Sequence, residues 1–258
     1  MSVAPKKALG QHFLVDENIL GVIGRLAELD ASDVVLEVGP GLGVLTRYLA
    51  DRVREVHAVE LDRSLEPVLL DTLGERSNVH LVWADALDLD VRTLRPAPTK
   101  LVANLPYNIA TPLVVESLEH AASLQRWCVM VQREVADRFF AQPRTKAYGA
   151  VSVLVQLSAR KTGLHSVPPT VFRPRPRVDS ALVAFERVAA ASPIAAVRPV
   201  VEAAFAHRRK TLANSVAISG LAPRARAEEA LLAIDRSTRV RAEELAPEEF
   251  VELAEHIR

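Results

Sequence analysis

The sequence predicts an α/β fold of the Rossmann-like type, a largely parallel sheet with a small C-terminal helical domain. Three observations carry that reading. Short β-branched runs alternate with segments of helical period between residues 34 and 132. A glycine-rich turn, Gly39-Pro40-Gly41-Leu42-Gly43, follows the first run directly. Beyond about residue 190 the pattern is mostly helical.

Taken in order, Val34–Val38 is the first strand, and Leu45, Tyr48 and Leu49 recur at helical spacing behind the turn. A strand over Val56–Glu60, a helix through Leu65, Val68 and Leu69, and a strand over Val79–Trp83 follow. Lys100–Ala103 and Trp127–Gln132 are further strands, separated by a helix from Thr111 to about His120 with Pro112 in its first turn. Two more strands, one ending at Val167 and one over Ala181–Phe185, flank a proline-rich stretch and read as a hairpin closing the sheet. Ala189 to Pro193 reads as a linker, and helices are expected over Pro199–Ala206, Thr211–Ala217, Arg224–Ile234 and Pro247–Ile257. The expected domains are residues 1–190 and 191–258.

Composition is that of a globular protein: 49% hydrophobic and 25% charged over 258 residues, with no internal repeat. No stretch approaches the ~20 apolar residues of a membrane span, and residues 1–14 lack the apolar run of a signal peptide. A cytoplasmic protein without a membrane partner is expected. Cys128 is the only cysteine, so neither an internal disulfide nor a cysteine metal cluster is available; its apolar neighbours predict inert packing, and no metal is expected. The net charge is zero, but residues 133–187 hold ten Lys and Arg against four Asp and Glu. That local excess is a nucleic-acid footprint which the total conceals.

The glycine turn lets a ligand approach the backbone where no Cβ intervenes. It lacks the G-x-G-x-x-G register of a dinucleotide site, and Pro40 removes an amide donor that a pyrophosphate would use. Glu60 closes the second strand, where a carboxylate can accept both ribose hydroxyls of a nucleoside, while Asp62 should point away. Asp85, after the third strand, can accept from the adenine amino group of the same ligand. Asn104-Leu105-Pro106-Tyr107 follows the fourth strand. An aromatic amine is a poor nucleophile because its lone pair is delocalised. An Asn carbonyl and a backbone carbonyl held by proline can each accept one of its N–H groups, turning the lone pair toward a sulfonium methyl, and Tyr107 would stack on the base. Pro106 is followed by Tyr and not Cys, so covalent C5 methylation of a pyrimidine lacks its nucleophile.

With these residues in view, the chain resembles the small-subunit ribosomal RNA adenine N6,N6-dimethyltransferases, or dimethyladenosine transferases. The segments that carry the resemblance run from Leu9-Gly10-Gln11-His12-Phe13-Leu14 through Glu37–Gly41, Glu60–Asp62, Asn104–Ile109, Lys146–Gly149 and Phe172–Ser180 to Phe205–Leu212. The resemblance implies a class I methyltransferase that binds S-adenosyl-L-methionine through His12, Leu14, Gly39, Gly41, Glu60, Asp85 and Asn104. His12 stands where many members carry Asn, and a lone imidazole there is equally consistent with loop packing. The implied substrate is two adjacent adenosines near the 3′ end of small-subunit RNA, free or in a pre-subunit particle, acted on by a monomer. Asn104, Leu105 and Pro106 orient N6, and Phe172 is the second aromatic jaw opposite Tyr107, with core packing as its alternative.

Arg173, Arg175 and Arg177 alternate with prolines, a stiff arrangement that spaces cations along phosphates or leaves a solvated loop. Arg208, Arg209 and Lys210 end a predicted helix, where RNA contact and favourable interaction with the helix dipole are equal readings. If the three arginines form only a solvated loop, Lys6, Lys7 and Arg208 to Lys210 are the next candidates for RNA contact. Two rivals share much of this pattern: the large-subunit adenine methyltransferase of macrolide resistance, and an RNA-binding assembly or transcription factor that has lost the chemistry. Intact Glu60, Asp85 and Asn104 oppose the second. The Phe172–Ser180 segment opposes the first.

Overall fold

The computed structural model describes Lys6, residues 11–189 and residues 192–257. Lys7, Leu9 and Gly10, and the expected boundary at Ala190 and Ala191, lie outside the described residues. Packing divides the chain into one unit of Met1–Ala136 and Arg160–Arg187 and a second of Asp137–Ala159 and Val188–Arg258. The single cut expected near residue 190 thus becomes three crossings, because a short helix at 150–156 packs with the C-terminal helices.

The first unit begins with β1 (Phe13–Leu14) and α1 (Asn18–Ala27), followed by β2 (Val34–Val38), α2 (Val44–Ala50), β3 (Glu55–Glu60), α3 (Glu66–Leu73) and β4 (Val79–Trp83). It continues with β5 (Lys100–Asn104), α4 (Ala110–His120) and β6 (Arg126–Gln132), and later with β7 (Ala159–Val167), β8 (Phe172–Arg173) and β9 (Ser180–Arg187). Seven strands form one sheet in the order β4-β3-β2-β5-β6-β9-β7, and β1 pairs with β8 in a separate two-stranded ribbon. Strands β2 to β6 pair in parallel, while β9 runs antiparallel to β6. Every residue of β2 is buried, as befits an interior parallel strand covered on both faces. The chain winds outward from β2 to β4 and then returns to β5 on the other side of β2. That reversal opens a crevice at the carboxyl ends of β2 and β5.

Helix α1 and the β1–β8 ribbon were absent from the elements expected above. In α1, Ile19, Leu20, Ile23 and Ala27 turn inward and join Val35, Val56, Val102 and Cys128 in the core. Burial pushes the Cys128 thiol up to about 12, consistent with inert packing. Among the described residues no helix is long and apolar enough to cross a membrane.

The second unit holds α6 (Ala150–Gln156), α7 (Ile194–Phe205), α8 (Leu212–Ile218), α9 (Arg224–Ala233) and α10 (Pro247–Ile257), with α5 (Arg133–Phe139) leading into it. Helix α7 starts five residues before the expected Pro199 and carries that proline inside. Burial of Ile194, Val197, Val200, Val201 and Ala204 along one face offsets the hydrogen bond a proline forfeits. The Phe205 ring lies 5.9 Å from Tyr148 and 5.7 Å from Phe250. The Tyr148 hydroxyl donates to the Leu245 carbonyl at 2.8 Å inside this core.

Tyr148→Phe leaves that carbonyl without its donor where water cannot replace it. The expected loss is about 1–2 kcal/mol, read as a lower midpoint of urea unfolding at unchanged slope. An unchanged midpoint would show that the bond contributes nothing to stability.

Candidate active site

The backbone leaves β2 and turns through Gly39, Gly41 and Gly43, at φ of +73°, +59° and +79°. Gly41 shows why side chains are excluded: a Cβ there would stand 2.9 Å from the Phe13 ring, on a backbone that L-residues already disfavour. The turn is stitched to the next strand. Gly39 N donates to the Val59 carbonyl at 2.9 Å, and Gly41 N to Oε2 of Glu60 at 3.3 Å.

Glu60 is buried at the end of β3, and its Oε1 accepts from Asp62 N at 2.8 Å. Burial raises its pKa, and the amides of Asp62 and Gly41 offset part of that rise. Asp62 turns away, as expected. Its oxygens accept from Lys6 Nζ at 2.6 Å, from Ser64 Oγ at 2.6 Å and from Gln11 Nε2 at 3.0 Å. Although burial works against it, these bonds hold the carboxyl well below the usual range. The Lys6 ammonium therefore pairs with Asp62 just past the end of β3. Asp85 uses one oxygen to accept from Leu87 N at 2.9 Å.

Asn104 ends β5, and its Nδ2 donates to the His12 carbonyl at 2.9 Å. This commits the nitrogen end of the amide and leaves Oδ1 as the acceptor. In the following turn the amides of Ile109 and Ala110 both donate to the Pro106 carbonyl at 3.1 Å. The Leu105 carbonyl has no backbone partner among the described residues. The Tyr107 hydroxyl pairs with Ser180 Oγ at 2.6 Å, and burial raises its pKa. Its ring lies 5.4 Å from that of His12, tilted by 31°. Nδ1 of His12 meets the Pro174 carbonyl at 2.7 Å; since a carbonyl can only accept, Nδ1 carries the hydrogen. The imidazole is thus held between the Pro174 carbonyl and the Tyr107 ring.

His12, Leu14, Gly39, Gly41, Glu60, Asp85, Asn104, Leu105, Pro106 and Tyr107 all line one cleft. It encloses about 1090 Å³ of non-atom space, open mouth included. Phe172 does not line it. Pairing of Leu14 with Phe172 in the β1–β8 ribbon buries the ring completely among Leu14, Ile19, Leu20 and their neighbours. The second jaw is corrected to core packing, and His12 is the ring beside Tyr107.

Arg173, Arg175 and Arg177 are exposed, with no ion pair among the described residues. Arg208, Arg209 and Lys210 are all exposed, and Arg208 also donates to the Tyr148 carbonyl at 3.0 Å and pairs with Glu243 at 3.4 Å.

One wall residue escaped the sequence reading. Glu37 stands in β2 with its Oε2 unpartnered, and burial pushes its carboxyl up to about 8. The Thr46 hydroxyl tempers the shift without reaching hydrogen-bond geometry, and the Glu60 charge adds to it. A lone Glu in an otherwise apolar strand was the available signal.

A parallel sheet with this reversal, a glycine turn behind its first strand and acids at successive strand ends define a Rossmann-like class I methyltransferase. Among solved structures, a dimethyladenosine transferase from Plasmodium falciparum superposes with a TM-score of 0.78 at 24% identity, covering 94% of this chain and 96% of that one. The 23S rRNA methyltransferase ErmE gives 0.66 at 30% identity, covering 95% and 99%. The ribosomal RNA small subunit methyltransferases A of Rubrobacter xylanophilus and Kineococcus radiotolerans are 49% and 45% identical, spanning 98% and 99% of this chain and 95% and 87% of theirs. The chain belongs to the ribosomal RNA adenine dimethylase family, whose model matches residues 4–258, and it is an rRNA adenine dimethyltransferase.

The Glu37 carboxyl keeps its proton in the folded chain up to about pH 8, while an unfolded carboxyl loses it near ~4.3. Between those values the folded state binds the extra proton, so stability falls as pH rises and the contribution is gone above the window. The melting temperature of the ligand-free protein should decline more steeply from pH ~5 to ~8.5 than that of Glu37→Gln. Parallel profiles would show that Glu37 is already charged in the folded chain.

Proposed function

We propose that this chain transfers methyl groups from S-adenosylmethionine to N6 of two adjacent adenosines near the 3′ end of small-subunit ribosomal RNA. It would work in the cytoplasm as a monomer on RNA or a pre-subunit particle. The observation that carries the reading is the orientation of Asn104. With Nδ2 held by the His12 carbonyl, Oδ1 is the acceptor at the cleft, beside a Leu105 carbonyl that no backbone amide occupies.

The cleft fits the methyl donor. The glycine turn leaves space that a Cβ would fill, and Glu60 keeps lone pairs beyond the two amides it accepts, where ribose hydroxyls can donate. Asp85 keeps an oxygen for an adenine amino group, and Leu14 supplies apolar wall. When bound, S-adenosylmethionine supplies an electrophilic methyl on its sulfonium. Asn104 Oδ1 and the Leu105 carbonyl accept the two N6 hydrogens and favour the pyramidal amine whose lone pair can attack. Pro106 stiffens the turn, and Tyr107, aimed by Ser180, offers its face to the base. The proton leaves N6 for solvent, because the alkylated nitrogen is strongly acidic. Arg173, Arg175 and Arg177, with Arg209 and Lys210, would meet phosphates; Arg208 has less to spare. The small-subunit assignment is supported by the names of the relatives at 45–49% identity.

Methyl transfer from labelled donor to unmethylated small subunits, followed by mapping of the modified bases, tests the reading. Label in adjacent adenosines of small-subunit RNA is expected; no label in small subunits, with label instead in large-subunit RNA offered in parallel, would overturn it. In the same assay Asn104→Ala should lower kcat by ~100-fold or more while RNA affinity changes little, since alignment matters at transfer. Equal losses would make Asn104 a simple binding residue.

Replacing Arg173, Arg175 and Arg177 together with Ala should weaken RNA binding at any sequence. The slope of log K against log salt should flatten by about 2–3 units, with donor affinity unchanged. A retained slope would return the three to the status of a solvated loop.

A further inference from the structure

Glu37 lines the cleft, yet the chemistry above gives it nothing to do. Its side chain is 1% exposed, and Oε2 finds no hydrogen-bond partner among the described residues. From β3, hydrogen-bonded along one side of β2, the charged group that acts on it is Glu60. From α2 it meets the Thr46 hydroxyl, itself without a hydrogen-bond partner, and β5 on the other side carries the apolar residues Leu101, Val102 and Ala103. Among the described residues no cation compensates it. A buried carboxylate in such surroundings is costly, so the ligand-free site holds a neutral acid beside Glu60.

S-Adenosylmethionine carries a sulfonium and an ammonium, whereas its nucleoside half is uncharged. We propose that Glu37 surrenders its proton when a cationic ligand fills the cleft and then serves as a buried counter-ion, so that the methyl donor is bound in exchange for a proton. The proposal rests on reading the cleft as the donor site. The exchange balances: the carboxylic acid O–H breaks, the proton passes to solvent, and the carboxylate formed offsets one positive charge brought in. Neutral nucleosides gain nothing from it. Glu37 thereby biases the site toward the charged donor and away from abundant uncharged adenosine derivatives.

Calorimetric titration of the full chain with S-adenosylmethionine, in buffers of differing ionisation enthalpy at pH ~6.5, reads the exchange directly. At that pH the donor's own amino group, with pKa ~7.7–8.0, is already protonated and contributes little. The carboxyl titrates near 8 in the ligand-free protein. Release of about 0.5–1 proton per donor is therefore expected, with affinity rising by up to ~10-fold per pH unit between about 6 and 7. Glu37→Gln should bind donor without releasing a proton and without that pH dependence. 5′-Methylthioadenosine, neutral and lacking the amino acid, should bind wild-type protein with no release; this comparison decides the matter even if the variant fails to fold. Donor binding without proton release, release retained in Glu37→Gln, or equal release with the neutral nucleoside would each overturn the proposal. If the wild-type protein binds 5′-methylthioadenosine but not S-adenosylmethionine, or binds neither, the donor reading fails first and the proposal with it.

Discussion

The hydrogen bond from Asn104 Nδ2 to the His12 carbonyl joins residues 92 positions apart and governs what the cleft can do. An amide can present either end to a ligand, and only one end can accept from an amine. Committing the nitrogen to a backbone carbonyl resolves that choice in the tertiary structure. The same stretch of chain is held from two other directions. Gln11 reaches Asp62, and the His12 ring reaches the Pro174 carbonyl and the face of Tyr107. Residues 11–14 thus brace the acceptor, the stacking ring and the arginine segment together.

The second constraint is the concentration of carboxylates at one edge of a buried sheet. Parallel strands bring Glu37 and Glu60 onto the wall of one crevice, where neither pairs with a cation among the described residues. Glu60 is tolerated because two backbone amides feed it. Asp62, two residues on, is tolerated because Lys6, Gln11 and Ser64 do the same. Glu37 has only a misaligned hydroxyl nearby. A fold optimised for stability alone would place an apolar residue there, as β2 does at its other positions. Such local conflict between stability and environment is expected where a ligand completes the surroundings.

The aromatic residues show how pairing reassigns roles. Phe172 faces Leu14 across the β1–β8 ribbon, and both side chains join the same core. His12 stands just before β1, where its ring meets the Pro174 carbonyl and lies beside Tyr107 at the cleft. The arginines that follow Phe172 are exposed.

Much of the fold was legible because its signals are local. A β-branched run ending in a glycine turn specifies strand, turn and helix over fewer than twenty residues, and the acids at successive strand ends could be placed once the alternation was recognised. Asn104 to Tyr107 was legible because its residue types answer a definite chemical demand. What resisted reading depends on partners far away in the chain. The two-residue ribbon has no period to detect, and α6 joins the C-terminal helices only through packing. The burial of Phe172, the tethering of Lys6 and the isolation of the Glu37 carboxyl are likewise set by neighbours contributed from other strands and helices. Local pattern sets the order of elements and the chemical groups at the strand ends. Which of those groups are paired, which are stranded and which end of an amide faces the cleft follows from folding, because hydrogen bonding and desolvation depend on three-dimensional surroundings.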